Sequence, residues 1–158
     1  HHGNWAAQGT INDALLNDML RDNYFLLPPP KSTGREYFTE QWLTSYLENY
    51  DLAPVDVQAT LSALTARSLA LSIEQISPKG FVYLCGGGIH NKYCYKLIKQ
   101  YLSKHELKTI DALKLNNNAF EAMAFAWLAQ RRIHNLPSNL PEVTGASKLA
   151  SLGVLYFA

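Results

Sequence analysis

Three short stretches of this chain bring together residue types that could do chemistry: "CGGGIHN" at 85–91, "KSTGRE" at 31–36 and "NNNAFEAM" at 116–123. Gly86, Gly87 and Gly88 follow a short β-rich apolar run and carry no Cβ. The backbone there can take φ > 0, and a flat ligand or another backbone can approach to van der Waals contact. A helix starting just behind them would present unpaired N–H groups and a positive dipole end to an anion or a purine ring. His90 and Asn91 would stand at the rim of such a seat. The pattern is neither G-x-G-x-x-G nor a phosphate loop ending in Gly-Lys-Ser/Thr, so neither Rossmann nor Walker chemistry follows. A tight strand-to-helix crossover also accounts for one or two glycines, and Asn91 is a good N-cap without any ligand, so both readings stand.

In "KSTGRE", Lys31, Ser32, Thr33 and Arg35 place two cations and two hydroxyls within five residues. Such a cluster suits a carboxylate, a phosphate or a polyhydroxylated ligand, with Arg35 able to form a bidentate pair. The competing reading is a capping box, Thr33 paired with Glu36, that opens a helix. In "NNNAFEAM", Asn118 as N-cap and Glu121 at the third helical position fit the same local geometry. The functional alternative is a polar helix mouth where Glu121 accepts hydrogen bonds from ligand hydroxyls.

These groups need a frame. The chain has 158 residues, 47% hydrophobic and 17% charged, the balance of a soluble globular domain with a core of its own. A net charge of +1 with no Lys/Arg stripe argues against capture of nucleic acid or an anionic membrane. Small ligands or a protein surface are the expected partners. Cys85 and Cys94 form no C-x-x-C pair and read as reduced thiols, and the histidines have no metal-ligand spacing. No apolar run is long enough to span a bilayer and no charged-then-apolar leader opens the chain, so the expectation is a cytoplasmic protein. His1 and His2 are either native or the end of a purification tag.

The expected elements follow from periodicity. Residues 5–21 repeat Ile11, Leu15, Leu16, Met19 and Leu20 at helical spacing. Pro28 to Pro30 then fix an extended, rigid loop that delivers "KSTGRE", with no regular structure expected from residue 23 to 38. A short helix is predicted at 39–49. A long central helix starts at Pro54, with Val57, Leu61, Leu64, Leu69, Leu71 and Ile76 expected inside. Next come a strand at 81–85, the glycines, a helix at 91–104, a second strand at 109–113 and a helix at 119–134 whose aromatic and Ala-rich stripe reads as core. The repeated order points to parallel strands joined by crossover helices. The run 153–157 reads as a last strand or a docked terminal segment. Three strands at most against five or so helices is few for an α/β domain, which implies that further strands lie outside this sequence.

Several longer motifs carry a resemblance. "WAAQG", "LLPPPKSTGREYF", "DVQATLSALTA", "CGGGIHN", "FEAMAFAWLA" and "NLPEVTGA" occur in this order over nearly the whole chain. In that order they resemble the C-terminal part of the anhydro-N-acetylmuramic acid kinases, of the sugar kinase, Hsp70 and actin superfamily. The resemblance implies two ribonuclease-H-like lobes with ATP in the cleft between them. Such enzymes cleave the 1,6-anhydro ring with water and phosphorylate O6 from ATP and Mg²⁺. The product is N-acetylmuramic acid 6-phosphate, for cell-wall recycling. On this resemblance, residues 1–158 are the C-terminal lobe of a two-lobe kinase: α/β, an incomplete ribonuclease-H-like lobe with a short, mostly parallel sheet packed with long helices. Gly86, Gly87 and Gly88, with His90 and Asn91, look like the nucleotide-side residues of the cleft. Glu121, Asn118, Lys31, Ser32 and Arg35 look like residues near the sugar or the lobe interface. Exposed long helices and the family together point to a homodimer.

Two departures accompany the resemblance. The family's N-terminal glycine-rich phosphate loop and its "FDTGPGN" segment, which carries the water-activating aspartate, are absent from this sequence. The chain alone is therefore expected to be inactive, because phosphoryl transfer needs phosphate cradle, metal and positioned nucleophile together. The family usually has an aspartate where this chain has Asn118, which preserves a cap and removes a charge. A non-catalytic binding or assembly module built on the same fold is the alternative; an upstream coding sequence with the two missing segments would separate the two.

Overall fold

The computed structural model describes residues 2–156. His1 and Phe157, on which two of the expectations partly rest, lie outside the described residues. The chain opens with a 3-10 turn, Ala6–Gln8, and helix α1, Asp13–Leu20. Asn12 caps α1 by accepting from the Leu15 N–H at 2.9 Å. Helix α2, Asn23–Leu26, is a single turn that the sequence did not foretell. Its cause is Asp22, whose carboxylate accepts from the Tyr24 N–H at 2.8 Å and so starts a turn just before the prolines.

Helix α3, Glu40–Leu47, falls inside the predicted 39–49, with Thr39 capping it through the Trp42 N–H. The Thr33–Glu36 capping box is not formed. No helix begins there, and the Glu36 carboxylate instead folds over Gly34, where a Cβ would stand 2.2 Å from Glu36 Oε2.

Helix α4, Pro54–Ile76, is the expected long central helix, with Pro54 in its first turn where the missing N–H costs nothing. Its buried stripe differs from the expectation. Ala59, Ala63, Ala66 and Ala70 are fully buried, Leu64 is buried, and Val57, Leu61 and Leu69 are half-buried. Leu71 and Ile76 are exposed, while Ala70 and Ile73 keep the same turns on the core. Small residues on α4 let α1 and helix α5, Lys92–Tyr101, pack closely against it. The larger side chains of the core come from those partners: Leu15, Leu16 and Met19 from α1, and Leu97 and Ile98 from α5, with Leu102 just beyond. Full burial of side chains such as Leu15 and Leu102 stabilises by about 1.5–3 kcal/mol each.

Strand β1, Gly80–Leu84, pairs in parallel with strand β2, His105–Thr109, in the register Gly80 to His105 and Leu84 to Thr109. The parallel pairing through a crossover helix is as predicted. The second strand is not where it was expected, at 109–113. Ile110–Leu113 is a 3-10 turn that buries Ile110, and the spacing of Ile110 and Leu113 is the three-residue period of that turn rather than a strand's alternation. Val82, Leu84 and Leu107 pack on the core, while Phe81 and Tyr83 are exposed on the opposite face. Parallel sheets are ordinarily covered on both faces, so this one is half-covered.

After a further 3-10 turn, Asn117–Ala119, comes helix α6, Phe120–Ile133, then the short helix α7, Pro141–Thr144. The stripe of α6 is not core: Met123, Phe125, Trp127 and Ile133 are all exposed, Phe125 by 71%. On one side of α6, Phe125, Leu128 and Ile133 share an apolar cleft of about 330 Å³ with Leu152, Val154 and Leu155 of the tail. The tail forms no strand among the described residues. It is docked, with Ser138 N–H donating to the Ala150 carbonyl and Leu152 N–H to Ser138 Oγ.

Candidate functional site at the glycine turn

β1 ends at Leu84, and the exposed Cys85 leads into Gly86 at φ 79° and ψ 179°, a conformation that side chains other than hydrogen rarely adopt. This answers why the first glycine is there. Gly87 and Gly88 are different. They open a 3-10 turn, Gly87–His90, their φ is not positive, and a Cβ built on either meets nothing within 4 Å. Among the described residues, no backbone strain and no neighbour requires a bare position at 87 or 88. The open space beside them is therefore free for another molecule or another part of the protein.

The turn is held at both ends. Asn91 caps α5 as predicted, its Oδ1 accepting from the Cys94 N–H at 3.0 Å. His2 Nδ1 stands 3.0 Å from the His90 carbonyl, and the Lys92 N–H donates to the His2 carbonyl, so the amino-terminal segment braces the start of α5. At the other end the side chain of Asn117 grips the Gly86 peptide. Its Oδ1 accepts from the Gly86 N–H at 2.9 Å, and its Nδ2 lies 3.5 Å from the Gly86 carbonyl.

Glu121, in the first turn of α6, is brought to the same place: its Oε1 is 3.9 Å from where a Gly86 Cβ would be. The helix start was expected to be capped by Asn118. Instead Asn116 accepts from the Asn118 N–H at 2.9 Å, two residues earlier, because a 3-10 turn precedes α6. Asn118 is exposed within that turn. The site thus gathers a backbone bare at Gly87 and Gly88, the helix start at Asn91 and a carboxylate at Glu121. Asn117 was overlooked at the sequence level. Its partner is 31 residues away, and no local spacing reports such a contact.

Lys31, Ser32 and Arg35 have other neighbours. The Lys31 ammonium donates to the carbonyls of Tyr24 and Phe25 at 2.9 and 3.1 Å and lies over the Tyr24 ring, closing the end of α2. Ser32 and Thr33 line a cleft of about 390 Å³ with Asn23, Tyr24, Glu36 and Tyr37, and Arg35 is exposed. The loop is tied down by Asp22, which accepts from Tyr37 at 2.6 Å, Trp42 Nε1 at 2.9 Å and Tyr46 at 3.3 Å. Partial burial works against the charge on Asp22, but the donors from Trp42, Tyr37, Tyr24 and Tyr46 outweigh it and hold the carboxyl below its ordinary range.

Among the described residues no three His, Cys, Asp or Glu side chains converge on a metal position, and no helix is long and apolar enough to cross a membrane. Burial raises the pKa of the half-buried Cys94 thiol.

The chain is 46% identical over 158 residues to the anhydro-N-acetylmuramic acid kinase of Vibrio cholerae serotype O1, covering 97% of this chain and 42% of that protein. The kinase of the same name from Shewanella denitrificans is 48% identical over 157 residues, covering 99% and 42%, and that of Coxiella burnetii strain Dugway is 42% identical over 156 residues, covering 98% and 42%. The chain thus spans well under half the length of the curated relatives it matches. The family model described as anhydro-N-acetylmuramic acid kinase matches residues 1–158, and the chain belongs to that family.

Proposed function

We propose that this chain is the C-terminal lobe of a two-lobe, ribonuclease-H-like kinase, and that the full gene product phosphorylates anhydro-N-acetylmuramic acid from ATP. The observation that carries the reading is the open space at Gly87 and Gly88, which none of the described residues fills. A purine or ribose face seats against such a backbone, and the start of α5 beside it favours nearby negative charge. Gly86, Gly87 and Gly88 with His90 and Asn91 would line the nucleotide. When bound, the nucleotide supplies the phosphoryl group that ends on the sugar's O6 as water opens the anhydro ring. Glu121, facing the same turn, is placed to accept hydrogen bonds from sugar hydroxyls, with the exposed Asn118 beside it. Lys31, Ser32 and Arg35 belong to the loop on the other side of α2 and contribute, in this reading, at the lobe interface.

The described residues offer no metal donor set of their own, so Mg²⁺ would be held by phosphates and by residues outside this chain. The half-covered sheet and the exposed apolar face of α6 support an incomplete lobe, since both surfaces call for further structure to cover them. The same reading has the full gene product in the cytoplasm, as a homodimer, acting in cell-wall recycling.

The test is to give the full gene product and the 158-residue chain anhydro-N-acetylmuramic acid, ATP and Mg²⁺ in parallel. Transfer of phosphate to the sugar by the full product alone is expected. A full product that leaves the sugar unphosphorylated overturns the reading, and favours a binding module that uses the open α6 face for assembly.

A further inference from the structure

Gly86 occupies a backbone region open essentially to glycine alone, and a glycine is also free to leave it, so holding that conformation needs a partner. The Asn117 side chain holds it, and the Ile89 N–H also donates to the Gly86 carbonyl at 3.4 Å. Asn117 is buried, with 8% of its surface exposed, and both ends of its amide are spent on the Gly86 peptide, Oδ1 on the N–H and Nδ2 toward the carbonyl. Its own N–H reaches Asp111 Oδ1 at 3.4 Å, so the residue is anchored from the β2 side as well. Asn117 also begins the turn that leads into α6, four residues before Glu121.

We propose that Asn117 is a positioning residue for the nucleotide seat: it locks the Gly86 peptide so that Gly87 and Gly88 present their open side to the donor, and it ties that seat to the helix carrying Glu121. The proposal rests on the reading that the glycine turn lines the nucleotide. Asn117 touches neither substrate; it acts through Gly86. An amide is the side chain that offers an acceptor to the Gly86 N–H and, beside it, a donor toward the Gly86 carbonyl. Asn117→Asp keeps the shape and the acceptor but sets a carboxylate oxygen against the Gly86 carbonyl, acceptor facing acceptor. Asn117→Ser shortens the side chain and breaks the pair without adding charge.

The experiment uses the full gene product, as wild type, Asn117→Asp and Asn117→Ser, with ADP as the probe. Amide hydrogen exchange is read at Gly86 and at Val82 to Leu84, and ADP affinity, KM for each substrate and kcat are measured. In Asn117→Ser the Gly86 amide should exchange about tenfold faster or more, as for one lost hydrogen bond, and in Asn117→Asp it should exchange faster than wild type at neutral pH because the carboxylate is repelled from the Gly86 carbonyl, while the β1 amides keep their protection in both. ADP affinity should fall by a similar factor and KM for ATP rise, with KM for the sugar and kcat changed less. In Asn117→Asp, affinity should recover as pH falls into the carboxylate range, because the neutral acid regains an O–H donor for the Gly86 carbonyl. A merely structural role would lower the thermal midpoint and every kinetic constant together, without that pH recovery.

Unchanged Gly86 exchange in both variants overturns the lock. Faster exchange with wild-type ADP affinity overturns its link to the nucleotide seat. If the wild-type protein binds no ADP, the nucleotide reading fails and the proposed role falls with it, while the Gly86 exchange still decides whether the lock exists.

Discussion

Gly86→Ala and Gly87→Val change neighbouring residues and should act through different physics. At Gly86 there is room for a methyl group, since the nearest atom to a built Cβ is Glu121 Oε1 at 3.9 Å. The cost lies in the backbone: alanine at φ 79° and ψ 179° is strained by about 1–3 kcal/mol. For a domain of this size each kcal/mol moves the thermal midpoint by about 2–4 °C, so the fall should be roughly 2–12 °C. At Gly87 φ is not positive and nothing lies within 4 Å, so valine there should leave stability within about 0.5 kcal/mol of wild type. Its effect should fall on the ligand. An isopropyl group in the space a purine or ribose needs overpacks the seat, and ADP affinity should drop roughly tenfold or more. Thermal unfolding by circular dichroism and ADP titration calorimetry on the full gene product report the two effects separately. Wild-type ADP affinity in Gly87→Val would refute the assignment of the seat, and an unchanged midpoint in Gly86→Ala would refute the strain argument.

Asp22→Asn should flatten the acid side of the stability profile: a carboxyl held below its ordinary 3.8 contributes fully above that value and loses its contribution as pH falls through the lower folded value. Denaturant melts from neutral to acid pH check this, and an identical acid loss in the variant would contradict it. Among the two thiols, the exposed Cys85 should be alkylated first and Cys94, which burial shields and whose pKa it raises, much more slowly; mass spectrometry of a timed iodoacetamide reaction would show equal rates if this is wrong. Phe125→Asp should change the stability of the 158-residue chain by no more than about 0.5 kcal/mol, because the ring is exposed, but cost about 3–5 kcal/mol in the full gene product, where the proposed reading has the ring covered. Equal effects in both proteins would contradict an incomplete lobe.

The elements that the sequence made legible are those with strong local signals. Pro54 and the long apolar repeat marked α4, Asn91 marked the start of α5, and the glycines marked the end of β1. The errors share a cause, which is that local pattern does not reveal what covers a surface. Met123, Phe125 and Trp127 read as part of a core stripe, yet all three are exposed, and on a helix Phe125 points away from the side that Met123 and Trp127 share. Ile110 and Leu113 looked like strand residues because a 3-10 turn and a short strand bury similar side chains. In the site, Gly86 and Glu121 were both picked out, but the residue joining them was not. Asn117 stands between two asparagines of similar local appearance, and its distinguishing contact is long-range.

The measurement that bears most directly on the nucleotide seat is hydrogen exchange of the full gene product with and without a non-hydrolysable ATP analogue. Slower exchange at residues 86–91, with Glu121 and its turn responding when the sugar is added, is the predicted result. Protection confined to other parts of the protein, with 86–91 unchanged, would contradict it and leave the glycines as a crossover alone.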